Sequence, residues 1–275
     1  ESFRKYSFPK MQQKLVHVHP DEEELGRVYQ PDLAIHSGMV EFIDLLVKQD
    51  FVRHSDNSTA LKLMREDYIS FTSPTTCPGD VHIGEIMSWL DKRLPRDTFI
   101  SCGAGNYTHW LLRFIKHREY ATQLAPLGAV MGYGVPAAIA ASIEFPERIS
   151  IAFAGDGCFL MNAQEIATAK KYNANPIFIV LNNGIYGSIR MHQEREFPTR
   201  SIGTDLNNPD FVSYAEAFGI KGYRVSQTSE FESVFENALK TEGPSLIELV
   251  VSEEAISPAF TLSELVEQSL KKKAN

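Results

Sequence analysis

The chain has 275 residues, 43% of them hydrophobic and 23% charged, proportions that suit a packed globular protein and exclude wholesale disorder. A formal net charge of −8 argues against a nucleic-acid binder, and no run approaches the roughly 18 apolar residues of a membrane span, so no membrane partner is expected. Three scattered cysteines, Cys77, Cys102 and Cys158, make neither a disulfide framework nor a zinc cluster and read as reduced thiols of a cytoplasmic protein.

Glu1-Ser2-Phe3-Arg4 lacks both an apolar signal core and an initiating Met, so the chain reads as a piece of something longer. Lys14 to His19 reads as one strand stopped by Pro20. A lone strand is too little for a domain, so residues 1–35 are expected to be the remnant of a neighbouring domain or an N-terminal arm, and 36–275 the main domain. Val40, Ile43, Leu46 and Val47 form a helical stripe, and Ile83, Ile86, Met87 and Leu90 another that ends before Pro95. Thr98 to Cys102 is a strand running into Gly103-Ala104-Gly105, and the small residues after Pro136 suit a closely packed helix.

Ile149 to Ala154 is a near-continuous apolar strand, as expected where both sheet faces are covered. Gly155-Asp156-Gly157 breaks it, Asn162 and Glu165 suggest a capping box, and Ile177 to Leu181 is a second buried strand ending at Asn182-Asn183-Gly184. This is a βαβ unit, whose strands should be parallel. Asn208 with Pro209 predicts one further helix start, and Ser229 with Glu232 another. Ser245 to Val251 is the last strong strand, and Lys271 to Lys273 end a helix near the negative pole of its dipole. The fold class is α/β, a mostly parallel sheet with helices on both faces.

Ligands of open parallel sheets bind beyond the carboxyl ends of the strands. Asp156 and Asn183 stand at two such ends, 27 residues apart, about the length of the loop, helix and strand between them. One carboxylate and one amide oxygen are thereby brought together, a donor set that suits Mg²⁺ completed by phosphate and water. Gly155 and Gly157 remove side chains where a phosphate would approach the backbone, and the following helix offers free N–H groups.

These residues carry a resemblance. Gly155-Asp156-Gly157-Cys158 followed by Asn182-Asn183-Gly184 resembles the thiamine-diphosphate motif of the acetolactate synthase and pyruvate decarboxylase superfamily. The stretches Pro126 to Ala138 and Gly103-Ala104-Gly105-Asn106-Tyr107 resemble two further signatures of that family, and Glu23 to Ile35 resembles the end of its middle domain. The resemblance implies thiamine diphosphate and Mg²⁺ as cofactors, with Asp156 and Asn183 as side-chain metal ligands and Ile185 as a backbone-carbonyl ligand. Gly157, Cys158, Asn106 and Tyr107 would lie against the diphosphate, with Gly105, Gly155 and Tyr186 in the same cofactor-binding set. Met131 would be the apolar wedge that bends the cofactor, and the Ala129 carbonyl would accept a hydrogen bond from its pyrimidine amino group; these two are the candidate catalytic positions.

The family acts on 2-keto acids, with the cofactor as electron sink for loss of CO₂. Its activating glutamate sits on a pyrimidine-binding domain that these residues do not contain, so the partner is such a domain or subunit, in a homodimer or homotetramer. The chain alone is expected to be inactive. His192 stands where the anabolic synthases of the family place a tryptophan, which keeps 2-hydroxyacyl-CoA lyase, benzoylformate-type decarboxylase and pyruvate oxidase as alternatives; dependence on FAD is left open. Two readings from other classes remain: a non-catalytic paralogue, and an NAD-dependent dehydrogenase suggested by the G-x-G-x-x-A match at Gly132 to Ala137.

Overall fold

The apolar runs of the sequence become the centre of one parallel sheet. The computed structural model describes residue 10, residues 12–50 and residues 58–274; the first nine residues of the expected N-terminal arm lie outside them. The chain forms two compact units, Glu1–Leu63 and Met64–Asn275.

In the first unit, β1 (Val16–His19) is not a lone strand. It pairs in parallel with β2 (Leu33–His36), Val16 opposite Leu33 and His19 opposite His36. Helix α1 (Met39–Val47) follows, with Val40, Ile43 and Val47 of its apolar stripe exposed and Leu46 half-buried. Helix α2 (Ser58–Phe71) leads into the second unit.

The second unit continues with α3 (Ile83–Arg93), β3 (Phe99–Cys102), α4 (Tyr107–Phe114), the two-residue β4 (Gln123–Leu124) and α5 (Gly134–Glu144). Then come β5 (Ser150–Gly155), α6 (Asp156–Phe159), α7 (Ile166–Lys171), β6 (Ile177–Asn182) and α8 (Gly187–Glu196). The chain closes with α9 (Phe211–Ala217), β7 (Lys221–Val225), α10 (Phe231–Lys240), β8 (Ser245–Val250) and α11 (Leu262–Ala274). The strand order is β4-β3-β5-β6-β8-β7, every neighbouring pair parallel, so the expected fold class holds.

The four apolar positions expected on α3 are all buried. Phe159 is wholly buried at the sheet face, its ring 5.8 Å from that of Phe211 and 6.3 Å from that of Phe178. Three helix starts differ from expectation, two of them because another residue supplies the cap. Asn162 makes no capping bond; its amide donates to the Gly132 carbonyl at 3.0 Å, and Glu165 accepts from Thr168. Helix α9 is capped by Asp210, whose carboxylate accepts the Ser213 N–H at 2.8 Å, and not by Asn208. The box before α10 is formed by Gln227 and Glu230, not by Ser229 and Glu232. The segment after Asn183, for which the sequence pattern predicts no element, forms α8.

Candidate functional site

Strands β5 and β6 run side by side with Gly155 opposite Leu181, so the chain leaves the sheet at Asp156 and Asn183 on adjacent ends. Asp156 opens α6 and is 2% exposed. Its Oδ1 accepts the Gly157 N–H at 2.8 Å, and its Oδ2 accepts the Gly184 N–H at 2.8 Å and an Asn208 side-chain N–H at 2.7 Å. Gly184 reaches Asp156 from φ +70°, a backbone conformation that glycine adopts without steric cost. Burial pushes the Asp156 carboxyl above its ordinary range, and hydrogen bonding from Gly157, Asn208, Gly184 and the Asn183 backbone pulls it part of the way back. All of these donors are neutral, so they stabilise the anion without cancelling its charge.

The turn beyond β6 is fixed from outside. Ile185 bridges Asp205, with Tyr186 N–H on the Thr204 carbonyl and Leu206 N–H on the Gly184 carbonyl, each at 2.8 Å. Within the turn, the Asn183 Oδ1 accepts the Ile185 N–H at 3.3 Å.

Above these ends lies a cavity of about 350 Å³. Gly105, Asn106 and Tyr107 line it after β3, and Ala129 and Met131 line it from the turn before α5. Gly155 lines it at the end of β5, Asp156, Gly157 and Cys158 just beyond, and Asn183, Ile185 and Tyr186 after β6. The sheet thus brings every residue of the expected cofactor-binding and metal-ligating set to one cavity. Its remaining wall is mainly apolar, including Ile83, Trp110, Val251 and Ala255. None of the described lining residues is Lys, Arg or His.

Several of these residues are engaged with the protein itself. The Asn106 amide donates to the Ile256 carbonyl at 2.9 Å and accepts from the Ser188 hydroxyl. The Tyr107 oxygen accepts the Gly103 N–H at 2.8 Å and lies 3.5 Å from the Cys158 sulfur, which in turn accepts the Gly132 N–H at 3.3 Å. Burial, with Cys158 as second cause, pushes the Tyr107 hydroxyl far above its ordinary range and keeps it neutral. Ala129 sits at φ 51°, a left-handed conformation that costs a non-glycine residue roughly 1–2 kcal/mol. His192 is exposed on α8 and does not line the cavity.

Asn208 is the site residue that sequence reasoning missed. It bridges Asp156 and the Asn182 Oδ1, the latter at 2.8 Å. The signal was Asp210 two residues later, an equally good cap that frees Asn208 for another role. The dehydrogenase reading fails on structure: Leu127 to Met131 form a turn, whereas its glycine fingerprint must directly follow a strand.

Comparison with known proteins bears on this geometry. The family described as "Thiamine pyrophosphate enzyme, C-terminal TPP binding domain" matches residues 103–249, from the loop after β3 into β8. The chain belongs to this family. The chain is 26% identical over 266 residues to "Acetolactate synthase isozyme 2 large subunit" of Escherichia coli (strain K12), covering 92% of this chain and 47% of that protein. It is 30% identical over 248 residues to "Acetolactate synthase large subunit" of Cyanidium caldarium, covering 87% and 42% respectively. "Acetolactate synthase, mitochondrial" of Schizosaccharomyces pombe is 29% identical over 256 residues, with 87% and 37% covered. The chain spans about half the length, or less, of these relatives. Among the described residues, no helix is long and apolar enough to cross a membrane. Likewise no three His, Cys, Asp or Glu side chains among them converge on a metal position, so a cation at Asp156 would draw its other ligands from amide, carbonyl, phosphate and water oxygens.

Proposed function

We propose that this chain holds the diphosphate of thiamine diphosphate through a Mg²⁺-type cation bound by Asp156, Asn183 and the Ile185 carbonyl. The whole protein is then an acetolactate-synthase-like enzyme acting on 2-keto acids. One observation carries the reading: a buried carboxylate with only neutral partners faces a cavity that has no basic side chain. A dianionic diphosphate beside such a carboxylate needs a cation between them, since like charges in a desolvated site repel strongly. Gly157 adds room, because a Cβ there would stand 2.4 Å from the Tyr186 ring.

When bound, the cofactor supplies an electron sink for cleavage or formation of bonds next to a carbonyl. The chain's own residues orient it. Gly157 and Cys158, at the start of α6, would lie against the diphosphate together with Asn106 and Tyr107, and Gly105, Gly155 and Tyr186 line the same cavity. Met131, half-buried against the core, would serve as the wedge, and Ala129 would present its carbonyl to the pyrimidine ring.

We assign residues 1–35 to the end of a neighbouring domain and 36–275 to the cofactor-binding domain. The pyrimidine-binding partner, a homodimer or homotetramer, and a reducing compartment such as the cytoplasm complete the proposal, the last supported by three free cysteines. The exposed His192 on α8, in place of the tryptophan of anabolic synthases, favours a second reading among the decarboxylases, oxidases and acyl-CoA lyases of the superfamily, with FAD dependence following the subtype.

Calorimetry on the full-length protein tests the site. Thiamine diphosphate should bind only with a divalent cation, and Asp156→Ala should abolish binding; unchanged affinity in that variant rejects the proposal.

A further inference from the structure

We infer that Asn208 is a positioning residue that makes Asp156 offer a cation a single oxygen, Oδ1; the inference rests on the function proposed above. A carboxylate has about four lone-pair directions, two on each oxygen. On Asp156 the Oδ2 atom already takes two donors, the Gly184 N–H and the Asn208 side chain, whereas Oδ1 takes only the Gly157 N–H. The open direction therefore belongs to Oδ1, and it is the Asn208 bond that closes the second direction on Oδ2.

The orientation of Asn208 is imposed by its neighbours. Its Nδ2 faces two acceptors, Asp156 Oδ2 at 2.7 Å and Asn182 Oδ1 at 2.8 Å. Asn182 is itself held the same way round, because its Nδ2 donates to Glu248 Oε1 at 2.7 Å. Glu248, 3% exposed, receives Arg224 on its other oxygen at 2.7 Å, and Arg224 also reaches Asp210. A carboxylate at each end thus dictates which way both amides point.

The unused atom of Asn208 agrees. Its Oδ1 is buried without a hydrogen-bond partner. A helix cap works by accepting N–H groups, and Asn208 does the reverse: both of its donors are used and its acceptor is not. Metal sites depend on such outer partners, whose loss typically weakens affinity by about 10–100-fold.

The test is Mn²⁺ titration of the full-length protein at saturating thiamine diphosphate, read by electron paramagnetic resonance, with thermal unfolding of the cation-free protein alongside. Asp156→Ala should abolish Mn²⁺ binding. Asn208→Ala should weaken it about 10–100-fold and change the Mn²⁺ spectrum, as a second carboxylate oxygen becomes free to coordinate. A folded Asn208→Ala protein with wild-type affinity and spectrum overturns the inference alone. Wild-type protein that binds no Mn²⁺ overturns the proposed function and this inference with it. Should Asn208→Ala not fold, Asn208→Ser is read by the same two outcomes.

Discussion

Gly157→Ala tests how tightly the loops around the cavity are built. A Cβ at Gly157 would lie 2.4 Å from Tyr186 Cε1, 2.9 Å from Cδ1 and 3.2 Å from Leu206 Cδ1, where ordinary contact begins at 3.4 Å. The tyrosine ring must withdraw by about 1 Å, and Leu206 by a few tenths. The Tyr186 backbone cannot follow, because its N–H is held by the Thr204 carbonyl and its carbonyl by the Arg190 N–H. The ring must therefore turn about its side-chain bonds, and the open space it already borders is the cavity. Overpacking costs about 1–3 kcal/mol, while alanine gains roughly 0.8–1 kcal/mol over glycine inside a helix, so the net loss is about 0–2 kcal/mol and the fold survives. Ligand binding should not. At a hundredfold excess over Kd, a ligand stabilises the folded state by about 2.7 kcal/mol, which for a domain of this size raises Tm by roughly 5–10 °C. Thermal unfolding with and without thiamine diphosphate and Mg²⁺ should show that rise in wild type and little of it in Gly157→Ala. On a Tyr186→Ala background only the Leu206 contact remains, so the glycine change should cost less. A Gly157→Ala protein that keeps the wild-type rise, or that loses the same amount on both backgrounds, refutes the steric argument.

Two more outcomes follow from burial. Phe159→Ala should cost about 3–5 kcal/mol in denaturant unfolding, since the ring is wholly buried between Phe178 and Phe211; a loss under about 1 kcal/mol contradicts that packing. The Asp156 carboxyl is raised on folding, so its proton stabilises the folded state at low pH, and that contribution is lost as pH rises through the folded value. Cation-free wild type should therefore gain stability relative to Asp156→Asn as pH falls towards the ordinary carboxylate range, and a pH-independent difference excludes the burial effect.

The legible parts of the sequence were those where one pattern had one physical meaning. Ile149 to Ala154 and Ile177 to Leu181 are too short for core helices and are bounded by turn residues, which marks them as strands covered on both faces, and their spacing places Asp156 beside Asn183. Other elements lacked a pattern of that kind. Strand β7, Lys221–Val225, carries Lys, Gly and Arg and exists because β8 offers its edge, while β4 is two residues long. Helix α8 contains Gly187, Ser188 and a largely polar run, and is held by α11, by Arg190 on Thr204 and by Gln193 on Ile202. Capping was misread wherever two residues competed: Asp210 displaced Asn208, and Gln227 with Glu230 displaced Ser229 with Glu232. The site residue hidden by that error, Asn208, finds its partners 52 and 26 positions away, a distance over which no local rule speaks.

The two ends of the sheet bear on how such a domain avoids unwanted growth. At one end β4 shows only Gln123 and Leu124, too short a row of backbone groups to template another strand. At the other, β7 presents exposed Lys221 and Arg224, the latter tethered to Asp210 and Glu248. Short edges and fixed charges are the devices by which open sheets resist strand-to-strand addition and the fibrils it leads to. Growth by strand addition is thereby disfavoured at both edges, while the loops at the carboxyl ends of the strands stay free to wall the cavity.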